Sequence, residues 1–275
     1  DVFVSADPSA DRALAGRANG NVVRWWIGFG TSQLVVAWNP SSVFARSFTQ
    51  VDEQLTTLES TLQLPGLQFC RADPNFDPEG FQTVIALELD QARSGQADLL
   101  EAVLGDAGSA RATGEIYPEE DLGARLQSGA CDAAVLYELE ALDDALPFTP
   151  LAPQVDLGIP TMTAVYAQAS YQASGGTRYA GAPISFTVTI PSTVIDAAGA
   201  VAFVRYLLGS AGRAVVAGQG LMSTGPTAAG QVDQVPAAIA SLLAARAASE
   251  AATGAVSGAA SGPAGQTGGS DGPAG

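Results

Sequence analysis

Four aspartate-proline or asparagine-proline pairs follow apolar segments of the sequence. They are Asp7–Pro8, Asn39–Pro40, Asp73–Pro74 and Asp77–Pro78. Such a pair is a typical start of an α-helix, with the polar side chain as N-cap and proline as the first helical residue. The first turn of a helix has free N–H groups, which bind anions. Several helix starts around one cleft would therefore bind an oxyanion, although each pair taken alone is more often an ordinary cap.

The sequence gives little support for covalent catalysis. It contains no histidine, and all 12 basic residues are arginine, so the commonest general base and the commonest transition-metal ligand are absent. Ser5 or Cys70 as a nucleophile would lack an activating base, and we predict that the protein is not an enzyme. Cys70 and Cys131 are too few for a structural zinc site, and either a disulfide or two buried thiols is compatible with the sequence.

The elements that must position these residues alternate between short apolar segments and helical patterns. This alternation predicts an α/β fold built on largely parallel strands. Apolar residues at helical spacing predict helices at residues 81–93 and 200–209. Open α/β sheets bind ligands at the carboxyl ends of their strands, where helix starts present their N–H groups. The predicted strands are DVFVS, QLVVAW, GLQFC, DAAVLY, MTAVYAQ and ISFTVTI.

The composition is that of an acidic globular protein. With 47% hydrophobic and 15% charged residues, a chain of 275 residues buries a substantial core. The net charge of −16 argues against nucleic acids and anionic membranes as partners, so an anion has to be bound by local donor groups. The acidic residues Glu138, Glu140, Asp143 and Asp144 are predicted to form a solvated surface.

The two ends of the sequence differ from its centre. The first residues, DVFVS, have the pattern of the middle of a strand, so we expect that the natural amino end is missing. From about Ala248 the composition shifts to Ala, Gly, Ser, Thr and Pro, which predicts a disordered low-complexity tail at residues 248–275. No window of about 18 apolar residues predicts a membrane span.

Three segments occur in a characteristic order, namely DVFVSADPSADRAL, FCRADPNFDPEGFQT and LGARLQSGACDAAVLYELEA. They contain a Ser-Ala-Asp strand end, a DPxxDPxGY-like helix start, and an apolar strand that ends in tyrosine. In this order they resemble the tungstate/molybdate branch of the extracellular solute-binding proteins of ABC transporters. The resemblance covers nearly all of residues 1–230.

The resemblance implies a type II periplasmic-binding-protein fold of two α/β lobes, without the amino-terminal strand. Lobe one would comprise residues 1–38 and 185–247, and lobe two residues 39–184. The segments LVVAWN and PISFTVT would cross between the lobes as a hinge. Closure of the lobes around a ligand is the expected motion.

The resemblance also implies an extracytoplasmic protein that captures molybdate or tungstate and delivers it to an ABC transporter permease. Ser5 from lobe one, the N–H groups of Gly80 and Phe81 from lobe two, and the phenol of Tyr137 would contact the oxyanion, with Asp77 beside them. No cofactor and no resident metal are implied, because the metal arrives as the oxyanion. A periplasmic or extracellular monomer is expected, with a lipid anchor at the missing amino end as one arrangement.

Two features depart from the family pattern. The opening strand with its Gly-Ser loop is missing, and Leu136 stands where the tungstate branch often has an acidic residue. We therefore predict tetrahedral binding by neutral donors, with the Asp77 carboxylate turned back to cap its own helix. The alternatives are another oxyanion, sulfate or phosphate, and the ligand-sensing domain of a regulator, for which the sequence shows no helix-turn-helix segment.

Overall fold

The structure, a computed structural model, describes residues 1–105 and 115–247, and the predicted tail at 248–275 lies outside them. The strands are β1 (Phe3–Ser5), β2 (Trp25–Thr31), β3 (Leu34–Trp38), β4 (Phe69–Cys70), β5 (Ala133–Tyr137), β6 (Phe148–Pro150), β7 (Ser170–Gln172), β8 (Arg178–Ala180), β9 (Ser185–Thr189) and β10 (Met222–Gly230). The α-helices are α1 (Pro8–Leu14), α2 (Ala45–Asp52), α3 (Leu58–Leu62), α4 (Pro78–Ser94), α5 (Leu99–Leu104), α6 (Leu122–Ser128), α7 (Glu138–Asp143), α8 (Thr163–Tyr166), α9 (Ala197–Leu208), α10 (Ser210–Ala217) and α11 (Ala237–Ala247).

Two four-stranded sheets organise these elements. The first sheet has the order β1-β9-β2-β10 and the second the order β4-β5-β3-β6, while β7 and β8 form a separate hairpin. The chain leaves the first sheet after β2 and returns to it with β9, which confirms the predicted architecture of two α/β lobes with two crossings. We propose that each sheet is the centre of one lobe.

The strand directions differ from the prediction of largely parallel pairing. In the described sheets β4 and β5 are parallel, whereas the other strand pairs are antiparallel. For the pairs that contain β3 or β9 the reason is the interleaved topology, because these strands enter their sheets after a crossing and run opposite to their neighbours. The predicted parallel sheet is therefore wrong for most of the pairs.

The second sheet is covered on both faces. Along β3, Leu34 and Val36 pack into one apolar cluster, whereas Val35 and Ala37 pack into another on the opposite face. A strand that is buried on both faces has a continuous apolar sequence, which explains the LVVAW segment. The same alternation in β5 places Tyr137 and Leu136 in different clusters.

The core of the first lobe is built on β2, a strand that the sequence pattern did not predict. Trp25 and Ile27 of β2 pack with Val204 and Leu208 of α9. Two glycines interrupt the apolar alternation of WWIGFGT, and this hides the strand. Gly30 is required by packing, since a Cβ there would lie 2.7 Å from the side chain of Leu221.

The crossings between the lobes lie outside the strands that were predicted to form them. β3 pairs along its whole length with β5, so it belongs to the second sheet and the chain crosses before it, at residues 32–33. In the same way β9 pairs only within the first sheet, after a crossing at residues 181–184. The predicted hinge strands therefore flank the crossings. The lobe bounds that follow from the resemblance stay a proposal.

Two of the four predicted helix starts are N-caps. The Asp7 carboxylate accepts from the Ser9 N–H of α1, and the Asp77 carboxylate accepts from the Glu79 N–H of α4. Asn39 and Asp73 instead accept the backbone N–H two residues ahead of them in turns that no helix continues. The predicted helices are confirmed as α4 and α9.

The segment MTAVYAQ is helical, so its prediction as a strand is wrong. A 3-10 helix at Pro160–Met162 leads directly into α8. The proline at the first position favours this turn, and the Tyr166 hydroxyl donates to Asp156 at 2.8 Å and holds the short helix in place.

A disulfide bond joins Cys70 and Cys131, one of the two arrangements that the sequence left open. It links the end of β4 to the residues just before β5, within the apolar cluster that contains Val35.

Across the described ranges no single helix is long and apolar enough to span a bilayer, and α9 and α10 meet those criteria only as a pair bent by 65°.

Candidate functional site

A cavity of 560 Å³ lies between the two lobes. Ala6, Asp7 and Ser9, at the start of α1, line it from the first lobe. Phe81 and Gln82, in the first turns of α4, line it from the second lobe. Two of the predicted helix starts therefore border one cleft, as the sequence pattern indicated.

Two arginine side chains line this cavity from different elements. Arg12 extends from α1, and Arg178 extends from β8 of the separate hairpin. Both are exposed, and neither forms an ion pair with another residue in the described part of the chain. The Arg178 guanidinium donates to the Ser170 hydroxyl at 2.8 Å, which orients it. The cavity wall therefore has two guanidinium groups and one carboxylate, Asp7, in a chain whose net charge is −16.

Tyr137 contacts the cavity through another residue, Gln82. The Tyr137 phenol donates to the Gln82 side-chain oxygen at 2.8 Å. Burial, and after it the Glu79 carboxylate, raise the pKa of Tyr137 well above its usual range, so the phenol stays protonated and donates. With its oxygen engaged, Gln82 has its amide N–H groups left for a ligand in the cavity.

Phe81 contributes an aromatic wall. Its ring stacks on the Tyr179 ring with the centroids 4.1 Å apart, and both residues line the cavity. Because Tyr179 belongs to β8, this stacking attaches the hairpin that carries Arg178 to the start of α4.

Of the five predicted site residues, Phe81 alone is among the described residues that line the inter-lobe cavity. The Ser5 hydroxyl donates to the Asp7 carbonyl at 3.0 Å and accepts from the Asp7 N–H, so it shapes the turn that borders the cavity. The Gly80 N–H donates to Asp77 at 3.3 Å. The Asp77 carboxylate thus caps α4, which confirms the predicted cap, and the assignment of these residues to a ligand stays a prediction.

Gly80 has a packing role that explains its position in the motif. A Cβ at this residue would lie 2.6 Å from the backbone of Asp73 and 2.7 Å from that of Pro74. Only glycine lets the first turn of α4 approach this turn so closely.

A second group of polar side chains lies on the other side of the α4 start. One carboxylate oxygen from each of Glu79, Glu119 and Glu140 lies within 4.8 Å of the other two. Glu79 is fully buried, whereas the other two are half-buried. The solvated surface that was predicted around Glu140 is therefore wrong for this residue, because α7 turns it inward toward Glu79.

Burial, together with like charges at this distance, favours the neutral forms of Glu79 and Glu119. Burial raises the pKa of Glu119 to about 9, and the Asp77 and Glu140 carboxylates add to that shift. Burial also raises the pKa of Glu79 well above its usual range, with Glu140 as the next cause. The isolated cluster therefore holds protons at neutral pH.

The sequence pattern missed the residues that bring charge to the cavity. Arg178 stands in the glycine-rich segment SGGTRYAGAP, which has no strand alternation, and its position depends on the pairing of β7 with β8. Arg12 and Gln82 each lie four residues after the first proline of a helix whose start was predicted, which is just past the first turn. A search of the first two turns of each predicted helix would have found them.

Relatives in other organisms cover most of the chain. A protein of Haloferax volcanii with the name "Putative ABC transporter molybdenum-binding protein" is 30% identical over 213 residues, which are 77% of this chain and 63% of that protein. An uncharacterized solute-binding protein of Petrotoga mobilis is 26% identical over 218 residues, 77% of this chain and 65% of its own length. This chain thus spans less than two thirds of either relative.

The periplasmic molybdate-binding protein of Azotobacter vinelandii aligns in three dimensions with a TM-score of 0.48 and 15% identity, over 81% of this chain and 78% of that one. The sulfate-binding protein SubI of Mycobacterium tuberculosis aligns with a TM-score of 0.44 and 14% identity, over 80% and 68% of the two chains. The family model for bacterial extracellular solute-binding proteins matches residues 1–222. Because this match covers most of the sequence, the chain belongs to the bacterial extracellular solute-binding protein family.

Proposed function

We propose that this chain is the ligand-binding part of an extracytoplasmic receptor that captures an oxyanion, molybdate or tungstate, for an ABC importer. The observation that carries the proposal is the pair of guanidinium groups, Arg12 and Arg178, that face one cavity from opposite lobes. In a chain with a net charge of −16, two arginines at one cleft that have no carboxylate partner among residues 1–105 and 115–247 form a local anion site.

The choice of molybdate or tungstate rests on two kinds of support. The first is the DPxxDPxGY-like segment with the other motifs of the resemblance, and the second is the name of the Haloferax volcanii relative.

The disulfide between Cys70 and Cys131 supports a compartment outside the reducing cytosol, because such bonds persist mainly in oxidising environments. The permease and any membrane anchor belong to the same proposal.

The anion would join the two lobes. Arg12 moves with the first lobe and Arg178 with the second, so an anion that binds both guanidinium groups stabilises the closed arrangement of the lobes. The Gln82 amide is a further donor in the wall, whereas the Ser9 hydroxyl already donates to the Asp7 carboxylate. The Asp7 carboxylate faces the same space, but it is engaged by the Ser9 N–H at 2.8 Å, which reduces its repulsion of an anion.

The predicted contacts enter this proposal in modified roles. Ser5 acts through the turn at Asp7, and Tyr137 acts through Gln82, whose orientation it fixes. A direct contact from the Gly80 N–H would have to replace its bond to Asp77. Charged donors from Arg12 and Arg178 thus join the neutral donors that the sequence predicted, and Asp77 stays with its helix.

A thermal-shift series with molybdate, tungstate, sulfate and phosphate tests the proposal. A ligand that binds the folded chain raises the melting temperature in proportion to the logarithm of its concentration over its dissociation constant. We expect molybdate or tungstate to give the largest rise at equal ionic strength, with sodium chloride as the control. Equal melting temperatures with all four anions and chloride would reject the proposal, and a larger rise with sulfate or phosphate would change the ligand.

A further inference from the structure

The cluster of Glu79, Glu119 and Glu140 has the geometry of a cation site that is separate from the inter-lobe cavity. One oxygen from each carboxylate lies within 4.8 Å of the other two. Oxygens that share one Ca²⁺ at distances of 2.3–2.6 Å lie at most about 5 Å apart, and carboxylates are ligands that Ca²⁺ prefers. None of the three residues is among those that line the inter-lobe cavity.

An independent observation indicates that a partner belongs in this cluster. The Glu79 side chain is fully buried, and its Oε1 atom has no hydrogen-bond donor in the described structure. Its other oxygen, Oε2, accepts the Tyr137 N–H at 3.2 Å, which fixes the orientation of the carboxylate. The same N–H also donates to Glu140 Oε2 at 3.3 Å, so this single donor is shared by two acidic residues. A buried carboxylate oxygen without a donor is rare unless a cation or a proton compensates it.

The cluster is accessible to an ion from two sides. Glu119 lines a cavity of 350 Å³ beside Asp77 and Tyr117. Glu140 lines another cavity of 270 Å³ beside Leu139 and Gln219. A hydrated cation therefore has an entry path and keeps water ligands on the open sides, as Ca²⁺ often does.

We propose that Glu79, Glu119 and Glu140 bind a calcium-type divalent cation that fastens the start of α4 to α7. Glu79 lies in the first turn of α4, and Glu140 lies in the first turn of α7. Glu119 belongs to the 3-10 helix Glu119–Asp121. The cation thus joins three segments that come together at Tyr137. Its effect on the rest of the molecule is to hold the helix that presents Phe81 and Gln82 to the inter-lobe cavity.

The test uses the full chain, freed of metal with a chelator, in the absence of any oxyanion. Calcium chloride is then titrated, and both the melting temperature and the heat of binding are measured, with sodium chloride of equal ionic strength as the reference. We expect one site per chain with a dissociation constant in the range of about 10⁻⁴ to 10⁻³ M that is common for extracellular modules, and a melting temperature that rises with the calcium concentration.

Glu119→Gln and Glu140→Gln are the diagnostic variants. Each keeps the shape of the side chain and removes one ligand charge, and both positions are half-buried, so the fold is expected to persist. Each should weaken calcium binding about tenfold or more. Glu101→Gln is the matched control, because it makes the same substitution at an exposed position of α5 that lines neither of the two cavities beside the cluster, and it should leave the affinity for calcium unchanged.

Absence of saturable calcium binding to the wild-type chain would overturn the proposal and leave shared protons as the occupants of the cluster. Equal calcium affinities in the wild type and the two glutamine variants would overturn it as well. Because no oxyanion is present in these titrations, neither outcome bears on the proposed function of the inter-lobe cavity.

Discussion

At the scale of single residues, the proposed site depends on two arginines that have no carboxylate partners in the described chain. Arg12 lies on α1 and Arg178 on β8 of the short hairpin, and the proposed lobe bounds place these elements in different lobes. Other arginines form ion pairs with acidic side chains; Arg93, for example, pairs with Glu59 and Asp90. An unpaired guanidinium at a concave site is a donor that a ligand can engage.

We expect Arg12→Gln and Arg178→Gln each to lower the affinity for the bound oxyanion by about tenfold or more, because each removes a charge-assisted hydrogen bond. Titration calorimetry measures the effect. Arg17→Gln is the control, since Arg17 is also exposed but does not line the cavity. If the affinity for the oxyanion falls equally in all three variants, the effect comes from the general loss of positive charge. That result would contradict a binding site formed by Arg12 and Arg178.

Asp11 gives a prediction about pH. It is fully buried, and burial raises its pKa above the ordinary value of 3.8, while the hydroxyl of Thr187, which donates to its carboxylate, opposes the shift. An acid with a raised pKa in the folded state stabilises the fold below its unfolded pKa, and this contribution is lost as the pH rises through the folded pKa. The wild-type chain should therefore lose stability relative to Asp11→Asn as the pH rises above 3.8.

Urea unfolding of both proteins at about pH 4 and about pH 7 measures this change. Asparagine keeps an oxygen that accepts from Thr187, so the comparison isolates the charge of the carboxylate. A difference in unfolding free energy that is the same at both pH values would show that Asp11 titrates normally in the folded chain.

At the scale of elements, the start of α4 has several roles at once. Asp77 caps the helix, Gly80 allows its close packing on the Asp73–Pro74 turn, and Phe81 and Gln82 face the cavity. The helix contains 17 residues and most of it is buried, so its first turn sets the position of one cavity wall.

Comparison of Asp77→Ala with Asp77→Asn tests the cap. Asparagine caps helices as well as aspartate does, whereas alanine leaves the N–H groups of Glu79 and Gly80 without a side-chain acceptor. The alanine variant should be about 1 kcal/mol less stable than the asparagine variant in chemical denaturation. If Asp77→Asn also loses oxyanion affinity, the Asp77 carboxylate contacts the ligand and the cap is not its main role.

The sequence predicted the elements with strong local signals. Five apolar strands and the helices α4 and α9 have clear periodicity, and the Asp-Pro pairs at Asp7 and Asp77 mark helix starts correctly. Elements without local signals were missed. β2 contains two glycines, and MTAVYAQ contains apolar residues but follows Pro160, which favours a helical turn.

The site itself was only partly predictable, because it depends on long-range pairing. The cleft between two helix starts follows from the Asp-Pro pairs, and Phe81 lines it, while the predicted contact of its N–H with the oxyanion stays a prediction. Arg178 reaches the cavity only because β7 and β8 pair and Tyr179 stacks on Phe81. The acidic cluster joins residues 40 and 21 positions apart along the chain, Glu79 to Glu119 and Glu119 to Glu140, so no local pattern contains it.

At the scale of the whole molecule, the interleaved chain is the feature that connects structure to function. The chain crosses between the two sheets twice, so the lobes are joined by two short segments. Such a connection permits closure with small changes in backbone angles, and a ligand that contacts both lobes favours the closed form. The central claim is therefore that one oxyanion binds between the lobes.

Isothermal titration of molybdate into the wild-type chain, with the double variant Arg12→Gln/Arg178→Gln beside it, tests that claim most directly. We expect one saturable site per chain in the wild type and an affinity about a hundredfold lower in the double variant, since each guanidinium contributes about tenfold. A wild-type chain without saturable heat for molybdate, tungstate, sulfate or phosphate, or a double variant that binds as tightly as the wild type, would contradict the account.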